Sequence, residues 1–369
     1  MSNKTQDYLI GKAWPGKTAF LDFQNPGTQP FWLNALKGLH NEASMDGVWL
    51  DLDEATNFCN GECPNENFTS FIDGNSSLPF NPTSDDYSIQ NRSLSLDAQH
   101  YYETDLEKEL NIEYNMHSLY GTMIAKATYQ FWKNDGPLSG KLFKIFCFMI
   151  KIFIDKRPFV LGRSLFPGAG KYASHWLGDN KSRWEDMQLS ISGIMNFNMF
   201  GIPHVGADIC GFYENATDEL CGRWMQLGAF YPFARNHYNK TDGEGHVLKP
   251  QEAYALESPY NDTARNAIMQ RYSFLRYFYT LMFEVSRNKR GAVIRPLFYE
   301  FPDDENTLKG YEHSFMVGSA LKVTPVITIQ DSVDGNVDSY FPKNSKFISL
   351  NDFKTIQEGK YLQLYIDLL

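Results

Sequence analysis

The stretch over residues 47–53, in which Val48, Leu50 and Leu52 alternate with Trp49, Asp51 and Asp53, constrains this chain more than any other. Alternation of period two predicts a strand with both carboxylates on one face. The residues that follow, 54–60, are mostly small and polar and predict a loop leaving the strand. Upstream, residues 8–24 read as a short strand broken at Pro15-Gly16 and then a loop, and residues 30–40 place apolar side chains at helical spacing. Strand, helix, strand is the order of a parallel α/β sheet, and acids at strand ends sit where α/β barrels build their active sites. An edge strand with solvated acids gives the same Asp-x-Asp pattern, but gains little from aromatic walls such as Trp49 and Phe58.

The alternation of elements continues downstream. Residues 113–134 predict a helix whose buried stripe is Met116, Leu119, Met123, Ala127 and Phe131. Residues 157–163 predict a strand, 184–199 an amphipathic helix, 201–208 and 230–237 further strands, 263–285 a long helix and 291–298 a last strand. Residues 59–98, rich in Asn, Ser, Pro and Gly, read as a long surface loop over the cleft. Beyond Leu321 the segments are short and β-like, with no helix. This divides the chain into a catalytic part over 1–320 and the start of a small β domain over 321–369.

Composition excludes several classes. A formal net charge of −10 argues against a nucleic-acid partner, because phosphate binding needs basic patches. No apolar run is long enough to span a bilayer; the nearest, 145–154, is short and contains Lys151. The N-terminal Met1-Ser-Asn-Lys4 is no signal peptide. Yet Asn-x-Ser/Thr acceptors occur at Asn3, Asn67, Asn75, Asn91, Asn180, Asn215, Asn239 and Asn261, a density that fits a secretory history. The conflict leads us to expect that the natural N-terminus is missing. Cys59 with Cys63, and Cys210 with Cys221, are spaced for local disulfides in an oxidising compartment, while Cys147 sits in an apolar run as a buried thiol. Histidines at ligand spacing are lacking, so no zinc site is expected.

The stretch Trp49-Leu-Asp-Leu-Asp-Glu54 resembles the nucleophile signature of the retaining α-glucosidases of glycoside hydrolase family 31. A longer match follows: Gly206-Ala-Asp-Ile-Cys-Gly-Phe212 and the run over 219–237 are similar to the family's second signature almost throughout. The resemblance covers most of residues 9–325 and is strongest to lysosomal or secreted acid α-glucosidases and maltases. It implies a (β/α)8 TIM-type barrel lacking its first strands, with residues 9–20 as the third of eight. It also marks residues 136–156 as an insertion. A chain so truncated is expected to be inactive alone.

Retaining hydrolysis needs a nucleophilic carboxylate and a protonated acid about 5–5.5 Å apart. The resemblance makes Asp51 the nucleophile and Asp179, within His175-Trp-Leu-Gly-Asp-Asn180, the acid/base; from the residues alone Asp179 reads as a cap for the helix at Trp184. Arg163 and His237 are implied as substrate-binding, Asp208 as orienting Arg163 or touching sugar, and Trp14, Trp49, Trp176 and Phe212 as aromatic walls of a glucose pocket. The implied activity is exo-hydrolysis of terminal non-reducing α-1,4-linked glucose from maltose, malto-oligosaccharides or glycogen, with no cofactor or metal. An α-xylosidase, a glycan-trimming α-glucosidase and a catalytically dead carbohydrate-binding protein remain as alternatives. One departure bears on chemistry: Asp53 stands where the family usually has Asn, and a second carboxylate disfavours ionisation of Asp51 unless it points elsewhere or stays protonated. An altered acid limb of the pH profile is therefore expected.

Overall fold

The computed structural model describes residues 8–63, 92–135, 158–289, 291–309, 313–350, 352–356 and 360–365. The expected insertion at 136–156 with Cys147, and the acceptors Asn3, Asn67, Asn75 and Asn91, lie outside them. The chain divides into two compact units, 1–173 and 174–369.

The first unit opens with an antiparallel hairpin, β1 (Ile10–Ala13) and β2 (Gly16–Ala19), in place of the single barrel strand expected over 9–20. The cause is local: Trp14 and Pro15 form the turn and Gly16, at φ +102°, takes a left-handed conformation that reverses the chain. Helix α1 (Thr28–Glu42) leads into β3 (Gly47–Leu50). Then come α2 (Asp105–Leu110), α3 (Glu113–Met116), α4 (Tyr120–Gln130) and β4 (Phe159–Gly162). Strands β3 and β4 pair in parallel, Gly47 opposite Phe159 and Leu50 opposite Gly162. α2 is closed by a capping box, Thr104 accepting from the Glu107 amide while the Glu107 carboxylate accepts from that of Thr104.

The helix expected over 113–134 is broken by a 3₁₀ turn at His117–Leu119 and ends in a π turn at Phe131–Asp135. Its buried apolar residues are Tyr120, Ile124, Ala125, Ala127, Phe131 and Trp132; Met116, Leu119 and Met123 are only half-buried. The two methionine sulfurs lie 3.2 and 3.3 Å from the Gln24 amide nitrogen, so that face meets a polar neighbour rather than the core. Glu113 is buried at the break and accepts from His100 at 2.8 Å, while His100 also reaches Asp22 at 2.9 Å. Burial alone would depress His100, but its bonds to the two carboxylates hold it up at about 9, so it is an imidazolium at neutral pH.

The ends of the loop expected on the surface over 59–98 are interior. Cys59 and Cys63 are bonded, and Ser93, Leu94, Leu96 and Ala98 are buried. Asn57 explains this: fully buried, it accepts from the Lys12 amide at 2.8 Å and donates to the Gly61 carbonyl at 2.7 Å, tying this loop to β1.

The second unit runs β5 (Ser174–Trp176), α5 (Trp184–Met199), β6 (Val205–Gly206), β7 (Asp208–Ile209), α6 (Asp218–Gly228), β8 (Arg235–Asn236) and α7 (Tyr260–Asn288). Strands β5 and β6 are parallel, as are β7 and β8. The strands expected over 201–208 and 230–237 are thus shorter, the first interrupted at Ala207. Ile191 and Ile194 of α5, Trp224 and Leu227 of α6, and Phe278 and Leu281 of α7 share one apolar core. Tyr231 is buried in it, its hydroxyl bonded to Ser190 and Trp224.

Downstream lie β9 (Ile294–Pro296), α8 (Leu297–Glu300), β10 (Phe315–Val317) and β11 (Leu321–Val323), with β9 and β11 antiparallel to the two sides of β10. The strand expected to reach 298 gives way to α8 after Pro296. The region beyond Leu321 holds a helix after all, α9 (Ile329–Asp334), which the Thr328 side chain caps and Gly335, at φ +69°, ends. β12 (Asn336–Phe341), β13 (Phe347–Ile348), β14 (Thr355–Ile356) and β15 (Lys360–Tyr365) pair as β12 with β15 and β13 with β14. Among the described residues no helix is long and apolar enough to cross a membrane.

Gly121 of α4 tests the packing of the first unit. A Cβ there would stand 1.9 Å from the Ser164 carbonyl oxygen. Helix propensity favours Gly121→Ala by about 1 kcal/mol, but overpacking costs about 1–3 kcal/mol, and a backbone atom cannot swing aside. Urea unfolding of the variant should therefore show a loss of stability rather than a gain.

Candidate active site

Parallel pairing of β3 with β4 brings the first cluster together. Leu50 stands opposite Gly162, so the next residues, Asp51 and Arg163, leave the two strands side by side. Arg163 lies 3.2 Å from Asp51 Oδ1 through Nη1, and clasps Glu54 with Nε at 2.6 Å and Nη2 at 3.2 Å. Asp51 Oδ1 also accepts from the Leu52 amide at 2.8 Å, and its side chain keeps 37 % of its exposure.

The strand ends at Leu50, and Leu52 turns the chain with φ +54°. Asp51 and Asp53 consequently do not share a face: Asp51 is exposed and Asp53 is 3 % exposed. Asp53 Oδ1 accepts from the amides of Ser164 at 3.0 Å and Arg163 at 3.3 Å. Burial pushes its carboxyl up to about 6, the Ser164 amide opposing and the charge of Glu54 adding to the rise. The altered acid limb expected from two adjacent carboxylates is revised accordingly, since Asp53 gains charge only as pH rises through about 6. Trp14, Trp49 and Phe58 expose 54, 43 and 42 % of their surface, with Trp14 and Phe58 in edge contact at 5.0 Å.

The second unit assembles the other candidates. Asp179 is exposed on the loop after β5, beside Gly178 at φ +81°. It does not cap α5, whose N-cap is Arg183. Asn180 fixes that loop by donating to the Asp208 carbonyl at 3.0 Å and accepting from the Phe212 amide at 3.1 Å. Both ends of its amide are thus engaged, and Asn180 is a structural residue rather than an open glycan acceptor. Asp208 stands opposite Arg235 in the β7–β8 register, fully buried, and its Oδ1 accepts from Arg235 at 2.7 Å. The Arg235 guanidinium lies over Trp176 at 5.1 Å from the ring centre. Trp176 itself is fully buried, so it supports Arg235 and offers no open face to a sugar, contrary to the expectation of a pocket wall. Phe212 and His237 stack with centres 5.0 Å apart, both half-buried. Cys210 is bonded to Cys221, tying the end of β7 to α6.

The model of the glycosyl hydrolases family 31 TIM-barrel domain matches residues 1–281, and that of the family's C-terminal domain matches residues 290–368. The chain belongs to glycosyl hydrolase family 31. Lysosomal alpha-glucosidase of Mus musculus is 36 % identical over 364 residues, covering 96 % of this chain and 34 % of that protein. Alpha-xylosidase 1 of Arabidopsis thaliana is 35 % identical over 358 residues, covering 91 % of this chain and 35 % of its own length. Among solved structures, a Tris-bound glucosidase II alpha subunit superposes with a TM-score of 0.76 at 24 % identity, covering 99 % of this chain and 33 % of that one. The chain spans about a third of the length of these relatives.

Within this family 31 chain, residue patterns did not single out Glu54, Asn57, Asn180 or Arg235, each of which holds a neighbouring candidate. Glu54 and Asn180 lie inside the two motifs, and only the partner each meets in space separates them from ordinary loop residues. The buried pair of Asp208 and Arg235 gives a direct check: Asp208→Asn should cost roughly 3 kcal/mol by leaving the guanidinium short of a charge. Thermal unfolding of the variant beside the parent measures it.

Proposed function

We propose that the whole protein is a retaining exo-α-glucosidase that removes terminal non-reducing α-1,4-linked glucose from maltose, malto-oligosaccharides or glycogen. The observation that carries this reading is Asp51 itself, an exposed carboxylate just past β3 with one oxygen held by Arg163 and the Leu52 amide. That grip leaves Oδ2 for attack on the anomeric carbon. In the first step Asp179 gives its proton to the leaving glycosidic oxygen as the Asp51–glucosyl ester forms. In the second, Asp179 takes a proton from water, which displaces Asp51 with the α configuration restored. His237 and Arg163 serve as substrate-binding residues in this reading, with Trp14, Trp49 and Phe212 as apolar walls, while Asp208, fully buried against Arg235, is framework rather than a sugar contact.

Similarity to the mouse alpha-glucosidase favours glucose, and similarity to the Arabidopsis alpha-xylosidase keeps α-xylosides as the second reading. A lysosomal or secreted location is supported by the two disulfides. The test compares hydrolysis of maltose, isomaltose and an α-xyloside, with the product anomer followed by NMR. Maltose should turn over fastest and release α-glucose first; release of the β-anomer would sink the mechanism. Asp51→Asn should lower kcat by on the order of 10⁴-fold or more. Asp179→Asn should lower it by about 10²–10⁴-fold for poor leaving groups.

A further inference from the structure

We propose that Asp53 is a positioning residue for Asp51, gripping the backbone after β4 and so setting the Arg163 guanidinium that joins Asp51 to Glu54. This rests on the reading of Asp51 as the nucleophile. Asp53 reaches the opposite loop through one oxygen only. Its Oδ1 accepts both amides, while its Oδ2 is buried without a hydrogen-bond partner. That second oxygen lies against Gly121 of α4 and Gly162 of β4, where an added Cβ would stand 3.0 Å from it in each case. Two glycines thus make room for a carboxyl where any other residue would crowd it. The Phe166 amide, bonded to Thr122 of α4 at 2.8 Å, pins the far end of the same loop. Arg163 therefore projects from a segment held at both ends, and Asp53 is the clamp nearer the chemistry.

The clamp changes with pH. An oxygen packed against glycines is poorly solvated when charged, which agrees with the carboxyl being raised to about 6 by burial. The charged groups around it are Glu54 and, beyond it, Asp51 on its own loop, and Arg163 from the loop after β4; α4 presents uncharged Gly121 and Thr122. Below about 6 Asp53 is neutral and one guanidinium serves Asp51 and Glu54. Above it, a third carboxylate adds its charge to that of Glu54 beside the same loop.

The sign for stability follows from the raised value. The folded state holds this proton more tightly than the unfolded chain, so stability falls as pH climbs from the ordinary carboxyl range through about 6. Asparagine keeps the Oδ1 acceptor and cannot ionise. Parent, Asp53→Asn and Asp53→Ala are compared by three readouts on the whole protein: amide exchange at Arg163 and Ser164, Tm from pH 4 to 7.5, and kcat/KM on p-nitrophenyl α-glucoside. Exchange should quicken by about tenfold or more in the alanine variant and stay near parental in the asparagine variant. The Tm of Asp53→Asn should draw ahead of the parent by about 4 °C between pH 4 and 7. Its kcat/KM should match the parent below pH 6 and exceed it by roughly tenfold above.

If the alanine variant does not fold, the asparagine variant decides. A Tm gap that is constant with pH, or pH–rate curves that superimpose, overturns the proposal; so does unchanged exchange in Asp53→Ala. The glucosidase reading fails separately, by turnover surviving in Asp51→Asn.

Discussion

Three carboxylates, at positions 51, 53 and 54, crowd the end of one short strand, and a single guanidinium makes that crowding tolerable. Like charges so close repel one another unless a cation or a proton intervenes. Here both devices operate. Arg163 answers Asp51 and Glu54, and burial encourages Asp53 to keep its proton. The parallel register of β3 and β4 makes the first device possible, because it delivers Arg163 to the acids with no long loop to order.

The second unit uses the same architecture independently. Asp208 and Arg235 are register partners on β7 and β8, again an acid on one parallel strand and an arginine on the next. The difference is burial. Asp208 is closed off completely and Trp176 lies under its arginine, whereas Asp51 remains open. One ion pair therefore reads as framework and the other as a poised group.

Alternation of apolar and polar residues located β3, and helical spacing located α5 and most of α7, two helices that bury one face in a shared apolar core. The failures have equally physical causes. In the 9–20 segment the break at Pro15-Gly16 was legible, but not that Gly16, at positive φ, reverses the chain there into a second, paired strand. The two carboxylates parted company because Leu52 turns the chain after only four strand residues. The helix over 113–134 broke where a buried glutamate meets two histidines, contacts made with residues distant or hidden in the pattern. The candidate acids came from motif resemblance, while their partners became visible only in space.

The two disulfides differ in setting: Cys59–Cys63 closes a loop, whereas Cys210–Cys221 joins the end of β7 to α6 inside the apolar core of the second unit. Cys59 and Cys63 close the segment that follows Glu54, and Cys210 and Cys221 fasten the segment that follows Asp208. Their closed loops are short, with sequence separations of 4 and 11, so each constrains its own neighbourhood more than the chain as a whole. A copy made among reducing thiols would lose one cross-link from its oily interior as well as the tie on the loop after Glu54.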